Sequence, residues 1–341
     1  MSKFTDFYAS STGTGFPFTG SAEVTGSVDV TGSVQFGYRD TPGGGTTGGA
    51  WSSGGNLIIA RQRPSGAGTQ TAGLAFGGAT PLSTAATEEY NGGTSTWTAA
   101  PATTNMGIAR NGIGGAGTQT AALAFGGGNP VVLSSTEQYN GSAWSPASSM
   151  NTARRNLAGA GTQTAALAFG GFTTAATNVT EEYSSATWSN TAPAINTMGT
   201  PRLTLAGAGT QTAALAFGGA TPLSTAATEE YNSGVWSPGA NNLNTPKKNT
   251  AGSGTQTAAL NFGGETPTIT TATEEYNSGT WLTLPATMLS IVESHAGVGT
   301  QTSALSFGGK SPAVTAATEE WSATPIGPTT TGGAWSSGGP L

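Results

Sequence analysis

The sequence predicts an all-β fold: a six-bladed β-propeller with an extended, β-rich arm at its N-terminus. A block that ends in Phe-Gly-Gly occurs six times, and its glycine pairs begin 44 to 49 residues apart. Each pair is followed by a Thr-Glu-(Glu/Gln)-aromatic block, and a Trp follows five of these blocks. Four short antiparallel strands in a period of about 45 residues correspond to one propeller blade. Gly, Thr and Ser at this density disfavour a helical solenoid.

One unit shows how the four strands follow each other. Residues 157–161 form a first strand that ends in Gly-Ala-Gly, and residues 162–164 form a tight turn. The second strand, residues 165–169, is closed by a glycine pair, and a variable loop of about ten residues follows. Residues 180–183 form the third strand, and a short Ser-rich turn leads to a fourth strand that carries Trp188.

The repeated residues are expected to build the fold. Ala and Gly fit inner strands that crowd around an axis, whereas large aromatic side chains fill the wedges between sheets. A glycine pair permits positive φ and close packing against a neighbouring blade. The glycine pairs are Gly77 and Gly78, Gly126 and Gly127, Gly170 and Gly171, Gly218 and Gly219, Gly263 and Gly264, and Gly308 and Gly309. The third-strand aromatics are Tyr90, Tyr139, Tyr183, Tyr231, Tyr276 and Trp321, and the fourth-strand tryptophans are Trp51, Trp97, Trp144, Trp188, Trp236 and Trp281.

Composition excludes several classes of partner and chemistry. The chain has 341 residues, 54 of them Gly, and no Cys, which removes disulfides and thiolate chemistry. Its net charge of −6 argues against nucleic acid as a partner, since phosphate binding needs clustered Lys and Arg. No apolar run is long enough to predict insertion into a membrane.

Phe-Gly-Gly, then Glu-x-Tyr, then Trp resembles the kelch repeat, and the resemblance extends over about residues 46–321. It implies a kelch-type propeller. The longer repeat sequence is similar to kelch-like repeats in virion proteins of tailed phages, especially those of marine and cyanobacterial hosts. It reads Gly-Ala-Gly-Thr-Gln-Thr-Ala-Ala-Leu-Ala-Phe-Gly-Gly and is followed by Ala-Ala-Thr-Glu-Glu-Tyr. Similar repeats also occur in bacterial surface proteins.

The two ends of the propeller carry the same sequence. Residues 46–55 reappear at residues 330–339, so Trp51 and Trp335 compete for one outer strand. In kelch propellers one terminus usually completes a blade begun by the other. Trp51 precedes Gly68 by the same 17 residues that separate Trp144 from Gly161. We therefore expect a propeller over residues 46–328 closed by the N-terminal copy, with residues 329–341 as a surplus strand that pairs elsewhere. The competing interpretation places Trp335 in the last blade.

Residues 1–45 form the predicted arm. Three six-residue units begin Thr-Gly-Ser, at residues 19, 25 and 31, and carry β-branched residues. Such a segment buries little surface alone, so we expect it to attach the protein to another chain. A flexible leader is the alternative interpretation.

Charged residues recur at fixed places in the repeat. A Glu stands two residues before each third-strand aromatic, and a basic residue stands seven residues before the last Gly of five Gly-x-Gly strands; the sixth has Val292. The resemblance implies that these residues form structural ion pairs. Calcium binding is the alternative role for the carboxylates. The predicted pairs draw on Glu88, Glu137, Glu181, Glu229 and Glu274 and on Arg61, Arg110, Arg154, Arg202 and Lys247.

We expect no enzymatic activity and no cofactor. His295 is the only histidine, so neither a histidine-rich metal site nor a Ser-His-Asp relay built on several of them is available. Gly-Ala-Gly-Thr-Gln-Thr lacks the Gly-Lys-(Ser/Thr) of a phosphate-binding loop. It is predicted to be a hairpin turn instead.

Variation between repeats points to a binding face. The loops that follow the glycine pairs and the loops that follow each Trp differ between repeats, whereas the Gly-Thr-Gln-Thr turn does not. Strand alternation places both variable sets on one face of the disc, and recognition usually resides in such loops. The candidate binding residues are Pro81, Asn129, Phe172, Pro222, Glu265 and Lys310.

Together these features predict a non-enzymatic virion protein, either a tail or head fibre or a decoration protein. The arm would bind other virion proteins, and the propeller would bind a host-surface glycan, a host protein or neighbouring virion proteins. We also expect a homo-oligomer. The alternative is a bacterial cell-surface or secreted propeller used in adhesion or glycan binding.

Overall fold

Each repeat forms a small antiparallel sheet, because short runs of Ala, Leu, Phe, Tyr and Trp alternate with Gly-rich turns. We describe a computed structural model that covers residues 48–99, 105–190 and 197–323. The predicted arm at residues 1–45, the surplus strand at residues 329–341 and Trp335 lie outside these ranges. No helix long and apolar enough to cross a bilayer is found in the described ranges.

The strands are numbered in chain order. The first is β1 (Gly49–Ser53). The first repeat contains β2 (Ser65–Gly68), β3 (Ala72–Phe76), β4 (Ala79–Thr80), β5 (Leu82–Ser83), β6 (Thr87–Asn91) and β7 (Thr96–Ala99). The second contains β8 (Gly114–Gly117), β9 (Ala122–Phe125), β10 (Thr136–Tyr139) and β11 (Trp144–Ala147), and the third contains β12 (Ala158–Gly161), β13 (Ala166–Phe169), β14 (Thr180–Ser184) and β15 (Thr187–Ser189).

The remaining repeats follow the same plan. The fourth contains β16 (Ala206–Gly209), β17 (Ala213–Phe217), β18 (Ala220–Thr221), β19 (Leu223–Ser224), β20 (Thr228–Asn232) and β21 (Val235–Pro238). The fifth contains β22 (Ala251–Gly254), β23 (Ala258–Phe262), β24 (Glu265–Thr266), β25 (Thr268–Ile269), β26 (Thr273–Asn277) and β27 (Thr280–Thr283). The sixth contains β28 (Ala296–Gly299), β29 (Ser303–Phe307), β30 (Lys310–Ser311), β31 (Ala313–Val314) and β32 (Thr318–Ala323).

Six four-stranded sheets form the blades, which confirms the predicted six-bladed propeller. Their orders are β2-β3-β6-β7, β8-β9-β10-β11, β12-β13-β14-β15, β16-β17-β20-β21, β22-β23-β26-β27 and β28-β29-β32-β1. The innermost strands pack in a closed cycle, β2 on β8, β8 on β12, β12 on β16, β16 on β22, β22 on β28 and β28 on β2. In four repeats the loop between the second and third strands also folds into a hairpin of two-residue strands, which the sequence did not predict.

The sixth blade takes its outer strand from the N-terminal side of the chain. Strand β1 pairs antiparallel with β32, with Gly49 opposite Ala323 and Trp51 opposite Trp321. Of the two competing copies, residues 46–55 therefore close the ring, as we predicted from the spacing of Trp51.

Small residues let the inner strands approach each other. A Cβ atom added at Gly159 would lie 2.5 Å from the carbonyl oxygen of Gly115 in the preceding blade. The glycine pairs are equally constrained: Gly77 has a φ of +62°, and a Cβ there would lie 2.7 Å from the Arg110 carbonyl oxygen. Any larger residue would push neighbouring blades apart.

The hydrophobic core lies between blades rather than within them. One cluster joins Leu167 and Phe169 of the third blade to Ala214, Tyr231 and Trp236 of the fourth, and five similar clusters complete the ring. At each seam a Trp ring contacts the second-strand Phe of the preceding blade at centroid distances of 4.9 to 5.1 Å. Each Trp Nε1 also donates a hydrogen bond of 2.9 to 3.0 Å to the first Thr of the preceding blade's third strand.

The second Glu of four Thr-Glu-Glu blocks, Glu89, Glu182, Glu230 and Glu320, serves the same seams. Tyr139 Oη donates a hydrogen bond of 2.7 Å to Glu89 in the preceding blade, and Tyr276 donates one of 2.6 Å to Glu230. Tyr231 bonds to Glu182 in the same way, and Tyr90 bonds to Glu320 across the point where the ring closes. The Tyr and Trp positions of the repeat are thus contacts between neighbouring blades.

Candidate functional site

A buried carboxylate holds the loop that enters each blade. In the third blade, Glu181 accepts hydrogen bonds of 2.7 Å and 3.1 Å from the backbone N–H groups of Asn151 and Thr152. Arg154 Nη2 lies 3.3 Å from Glu181 Oε1, and both side chains are fully buried. Burial lowers the pKa of the Arg154 guanidinium to about 10, against the attraction of Glu181. The carboxylate is therefore occupied by protein donors.

The same ion pair recurs in five blades, at the residues that the repeat predicts. We call the face of the propeller that carries the variable loops the variable face. Each ion pair joins one loop of this face to a rigid sheet and so positions the loop. The distances are 2.7 Å for Arg61–Glu88, 3.0 Å for Arg110–Glu137, 3.3 Å for Arg154–Glu181, 2.8 Å for Arg202–Glu229 and 3.0 Å for Lys247–Glu274.

The last two blades depart from this pattern. In the fifth blade the shorter Lys247 also donates a hydrogen bond of 2.9 Å to Asn261, which stands where other blades have Ala or Ser. In the sixth blade Val292 replaces the cation. Glu319 still accepts hydrogen bonds of 2.8 Å from the Leu289 and Ser290 backbones, but no cation of the described residues pairs with it.

A ring of backbone hydrogen bonds surrounds the axis on the variable face. One residue per blade, three positions before the Gly-x-Gly, donates its N–H to the carbonyl of its counterpart in the preceding blade, at 2.7 to 3.2 Å. All six have φ between 52° and 61°, a region that non-glycine residues seldom adopt. These axial ring residues are Arg63, Gly112, Asn156, Thr204, Asn249 and Ser294.

The axial ring and the residues that follow it line a pocket of about 90 Å³. Four of the six following residues, Pro64, Ile113, Leu157 and Leu205, are apolar, and the other two are Thr250 and His295. A ligand pocket that holds a whole small molecule usually measures about 300 Å³ or more. This pocket is smaller than that and is open to solvent.

His295 takes the place that Leu occupies in the third and fourth blades. It is 6% exposed and is one of the residues that line the axial pocket. Its ring lies 5.7 Å from that of Phe262. Burial lowers the pKa of His295 to about 3, so the imidazole is neutral at physiological pH.

A second ring of residue pairs lies outside the first. In each blade the residue before the axial ring position forms a β-bridge with the residue after the glycine pair, for example Arg155 with Phe172. The Arg155 guanidinium lies 5.3 Å from the centre of the Phe172 ring. In the fifth blade the bridge joins Lys248 and Glu265, and Lys248 Nζ lies 3.3 Å from Glu265 Oε1. In the sixth blade the charges are reversed, and Lys310 Nζ lies 3.9 Å from Glu293 Oε1.

The two acidic members of this second ring interact across the blade boundary. Asn249 Nδ2 donates hydrogen bonds of 2.9 Å to Glu293 and 3.4 Å to Glu265. Burial, followed by a hydrogen bond with Glu265, raises the pKa of Glu293.

Exposed apolar side chains stand on the same face. Leu82 and Leu223, at the tips of two loop hairpins, are 80% and 79% exposed, and Val131 is 66% exposed. Ile58 and Leu289, in loops that enter two blades, are also exposed. Of the six candidate binding residues, Pro81, Asn129 and Pro222 are exposed near the tips of these loops, whereas Phe172, Glu265 and Lys310 are half-buried in the second ring.

The opposite face carries the uniform Gln turns, and their side chains serve the seams. Gln119 Nε2 donates hydrogen bonds of 3.1 Å and 2.8 Å to the carbonyls of Gly73 and Tyr90 in the preceding blade. Gln70 donates one of 2.6 Å to Trp321 across the ring closure. Packing between blades therefore explains why the Gln turns have the same sequence in every repeat. The variable face remains the candidate site.

Both ends of the described propeller lie at the Gln-turn face of the sixth blade. Gly49 is opposite Ala323, whose N–H donates a hydrogen bond of 2.9 Å to Thr302 in the Gln turn of that blade. The described propeller thus begins and ends on the side away from the variable loops.

Sequence reasoning missed the axial ring, and of the second ring it found only Phe172, Glu265 and Lys310. The residues at these positions vary between repeats, and only their constant distance from the Gly-x-Gly marks them. Within the described ranges no group of three or more His, Asp or Glu side chains is placed to hold a metal ion. Compared with known proteins, the chain matches no family model and no curated protein.

Proposed function

We propose that the chain is a non-enzymatic virion protein of a tailed phage, a tail or head fibre or a decoration protein, with a kelch-type propeller. The proposal rests on the resemblance of its repeats and on one geometrical observation. The variable loops all lie on one face, and the chain connects to its remaining segments on the other.

This arrangement suits a displayed binding module. A segment that leaves from the Gln-turn face can anchor the propeller to other virion proteins while the variable face points outward. The ion pairs, such as Arg154 with Glu181, fix the loops on that face, so a binding surface is ordered before a ligand arrives. The partner would be a host-surface glycan or protein, or a neighbouring virion protein. The kelch type is favoured by the glycine pairs, the Glu–Arg pairs and the seam tryptophans occurring together.

One variant of the variable face and one control variant test the display role. Leu82→Asp with Leu223→Asp places charges at two exposed loop tips, whereas Val235→Asp places one at a fourth strand, where Val235 is 49% exposed. The first variant should lose binding of the purified protein to host cells, and the control should keep it. Equal binding by both variants would contradict recognition by the variable face.

The anchoring role is tested by removing residues 1–40. The truncated protein should remain a folded, soluble propeller and should no longer be incorporated into virions. Antibodies against the propeller should label purified phage particles. Label on bacterial cells without phage would instead favour the alternative, a cell-surface or secreted adhesion propeller.

A further inference from the structure

Three buried polar side chains meet inside the fifth blade. Lys247 Nζ donates a hydrogen bond of 2.9 Å to Asn261 Oδ1 and lies 3.0 Å from Glu274 Oε1. All three residues are fully buried. Asn261 in β23 stands directly opposite Glu274 in β26, so two paired strands hold the amide and the carboxylate next to each other. An amine, an amide and a carboxylate are thus confined together in a site without solvent.

The fifth blade departs from the repeat at two of these three positions. The residues equivalent to Lys247 are Arg61, Arg110, Arg154 and Arg202 in the first four blades and Val292 in the sixth. The residues equivalent to Asn261 are Ala75, Ala124, Ala168, Ala216 and Ser306. The lysine and the asparagine therefore occur together, in one blade, beside a glutamate that every blade has. A lysine that loses its proton is a nucleophile, whereas a guanidinium stays protonated.

We propose that Lys247 and Asn261 join in an intramolecular amide bond, an isopeptide cross-link, with Glu274 as the acid–base group. Lys247 Nζ forms a bond to Asn261 Cγ, and the bond from Cγ to Nδ2 breaks. The lysine ammonium gives up two protons in total, and both leave with Nδ2 as an ammonium ion. Atoms and charge therefore balance without an oxidant, a reductant or water. The reaction occurs once in each molecule, so it is not enzymatic turnover.

Glu274 is placed to transfer these protons. Its Oε2 accepts a hydrogen bond of 2.7 Å from the Asn244 backbone N–H, and its Oε1 faces Lys247 and accepts no other hydrogen bond from the described residues. Burial lowers the pKa of Lys247, against the attraction of Glu274. Transfer of one proton from Lys247 to Glu274 replaces a buried ion pair with a neutral pair and produces the attacking amine. The carboxyl group then protonates the leaving nitrogen.

The amide of Asn261 is held ready for attack. Its Nδ2 donates hydrogen bonds of 2.7 Å to Thr250 Oγ1 and 3.3 Å to the Ala251 carbonyl. Lys247 Nζ already contacts Oδ1, and Cγ lies only about 1.2 Å from that oxygen along the C=O bond. A small shift of the flexible lysine side chain therefore brings Nζ to Cγ, and reacting groups fixed so close to each other react much faster than free ones.

The cross-link ties two blades together on the variable face. Lys247 lies just before β22, and its carbonyl accepts a hydrogen bond of 2.7 Å from the Gly219 N–H of the fourth blade. Its own N–H donates one of 3.2 Å to Thr225 in that blade. A covalent bond from Lys247 to β23 thus fixes this loop more firmly than an ion pair does. The reaction needs only these residues, so the inference does not depend on the proposed function.

Mass spectrometry of tryptic digests of the full-length protein tests the reaction. Trypsin cuts after Lys248, and the peptides on its two sides, residues 203–248 and 249–310, should remain joined. Their joined mass should be one ammonia molecule less than the sum of the two peptides. Lys247→Arg and Asn261→Ala, which each introduce the residue of the first four blades, should give separate peptides of full mass. Circular dichroism shows that these variants are folded.

Two glutamate variants test the acid–base role. Glu274→Gln should lower the joined fraction about tenfold or more in protein purified directly after expression, because the amide cannot accept the lysine proton. Glu181→Gln removes the equivalent carboxylate of the third blade and is the matched control. It should leave the joined fraction unchanged.

Separate peptides of full mass from the unchanged protein would overturn the proposal. A loss of ammonia without joined peptides would indicate a succinimide at an asparagine and would also overturn it. Joined peptides in Lys247→Arg or Asn261→Ala would contradict the assigned bond. A full joined fraction in Glu274→Gln would contradict the role of that carboxylate.

Discussion

The indole Nε1 of Trp51 donates a hydrogen bond of 3.0 Å to the hydroxyl of Thr273, although 222 residues separate them along the chain. Trp188 makes the equivalent bond to Thr136 between two blades inside the ring. The closing strand β1 thus contacts the preceding blade in the same way as the fourth strands of the other blades, and the chain needs no special device to join its ends.

The closing strand can be identified by cross-linking, since the chain contains no Cys. Ala50 is opposite Ser322, and partners in an antiparallel pair have Cα atoms about 4.5 to 5.5 Å apart, within the range of a disulfide. Ala50→Cys with Ser322→Cys should therefore form an intramolecular disulfide on oxidation, detected by mass spectrometry. Ala334→Cys with Ser322→Cys is the control for the second copy of the sequence. A disulfide in the control alone would mean that residues 330–339 close the ring.

The buried carboxylates provide a matched pair of substitutions. Glu181→Gln leaves the Arg154 charge buried without a partner and should lower the free energy of unfolding by about 3 to 5 kcal/mol. Glu319→Gln replaces one of the two oxygens that accept backbone N–H groups with an amide nitrogen, which cannot accept, but it isolates no cation, so we expect a loss of about 1 to 3 kcal/mol. Urea denaturation at neutral pH measures both. Equal losses would show that the ion pair adds nothing to the loop hydrogen bonds.

His295 should make stability fall in mild acid. The unfolded chain takes up a proton near pH 6.5, whereas burial lowers the folded pKa to about 3, so between these values the unfolded state binds more protons. This contribution is complete above pH 6.5 and is lost as the pH falls, by about 2 kcal/mol at pH 5. His295→Leu, which introduces the residue found in two other blades, should flatten the decrease between pH 7 and pH 5. The same slope in both proteins would exclude His295 as its cause.

The seam tyrosines should stay protonated in strong alkali. Burial, together with a hydrogen bond to Glu320, raises the pKa of Tyr90 to about 12, and burial with the Glu89 bond raises the pKa of Tyr139 further. A raised folded pKa stabilises the fold fully below pH 10, and this stability is lost as the pH rises above it. Phenolate absorbance of these residues should appear together with loss of the circular dichroism of the sheets. Titration in urea, where ionisation should centre near pH 10, is the control. Ionisation of all tyrosines near pH 10 in the folded protein would contradict the seam bonds.

Much of the scaffold could be predicted from the sequence, because identical residues recur at one spacing. The blade count follows from the glycine pairs, and the pair of Arg154 with Glu181 follows from their fixed positions. The partner of Tyr139 could not be predicted in the same way. In a periodic chain, a glutamate of its own blade and one of the preceding blade have the same spacing pattern, so only the structure shows that Tyr139 bonds to Glu89.

The candidate site was less predictable for a physical reason. The loops were expected on one face because strands alternate in direction, and the structure has them there. The convergence of Arg63, Thr204 and His295 on one pocket depends on closure of the ring, which brings together residues more than 200 positions apart. No local pattern in the sequence marks such a site, since each of the three occurs once at its position.

Closure by β1 also determines the order in which the protein can fold. Five sheets are built from contiguous chain, so each can form as soon as its own residues have been synthesised. The sixth must wait for β32, and pairing over so long a separation is slow. Until then β1 and the unpaired edge of the last sheet are exposed, and each can pair with the complementary strand of another molecule. Crowded nascent chains can therefore exchange this strand and form linked propellers, whereas dilute chains form single closed rings.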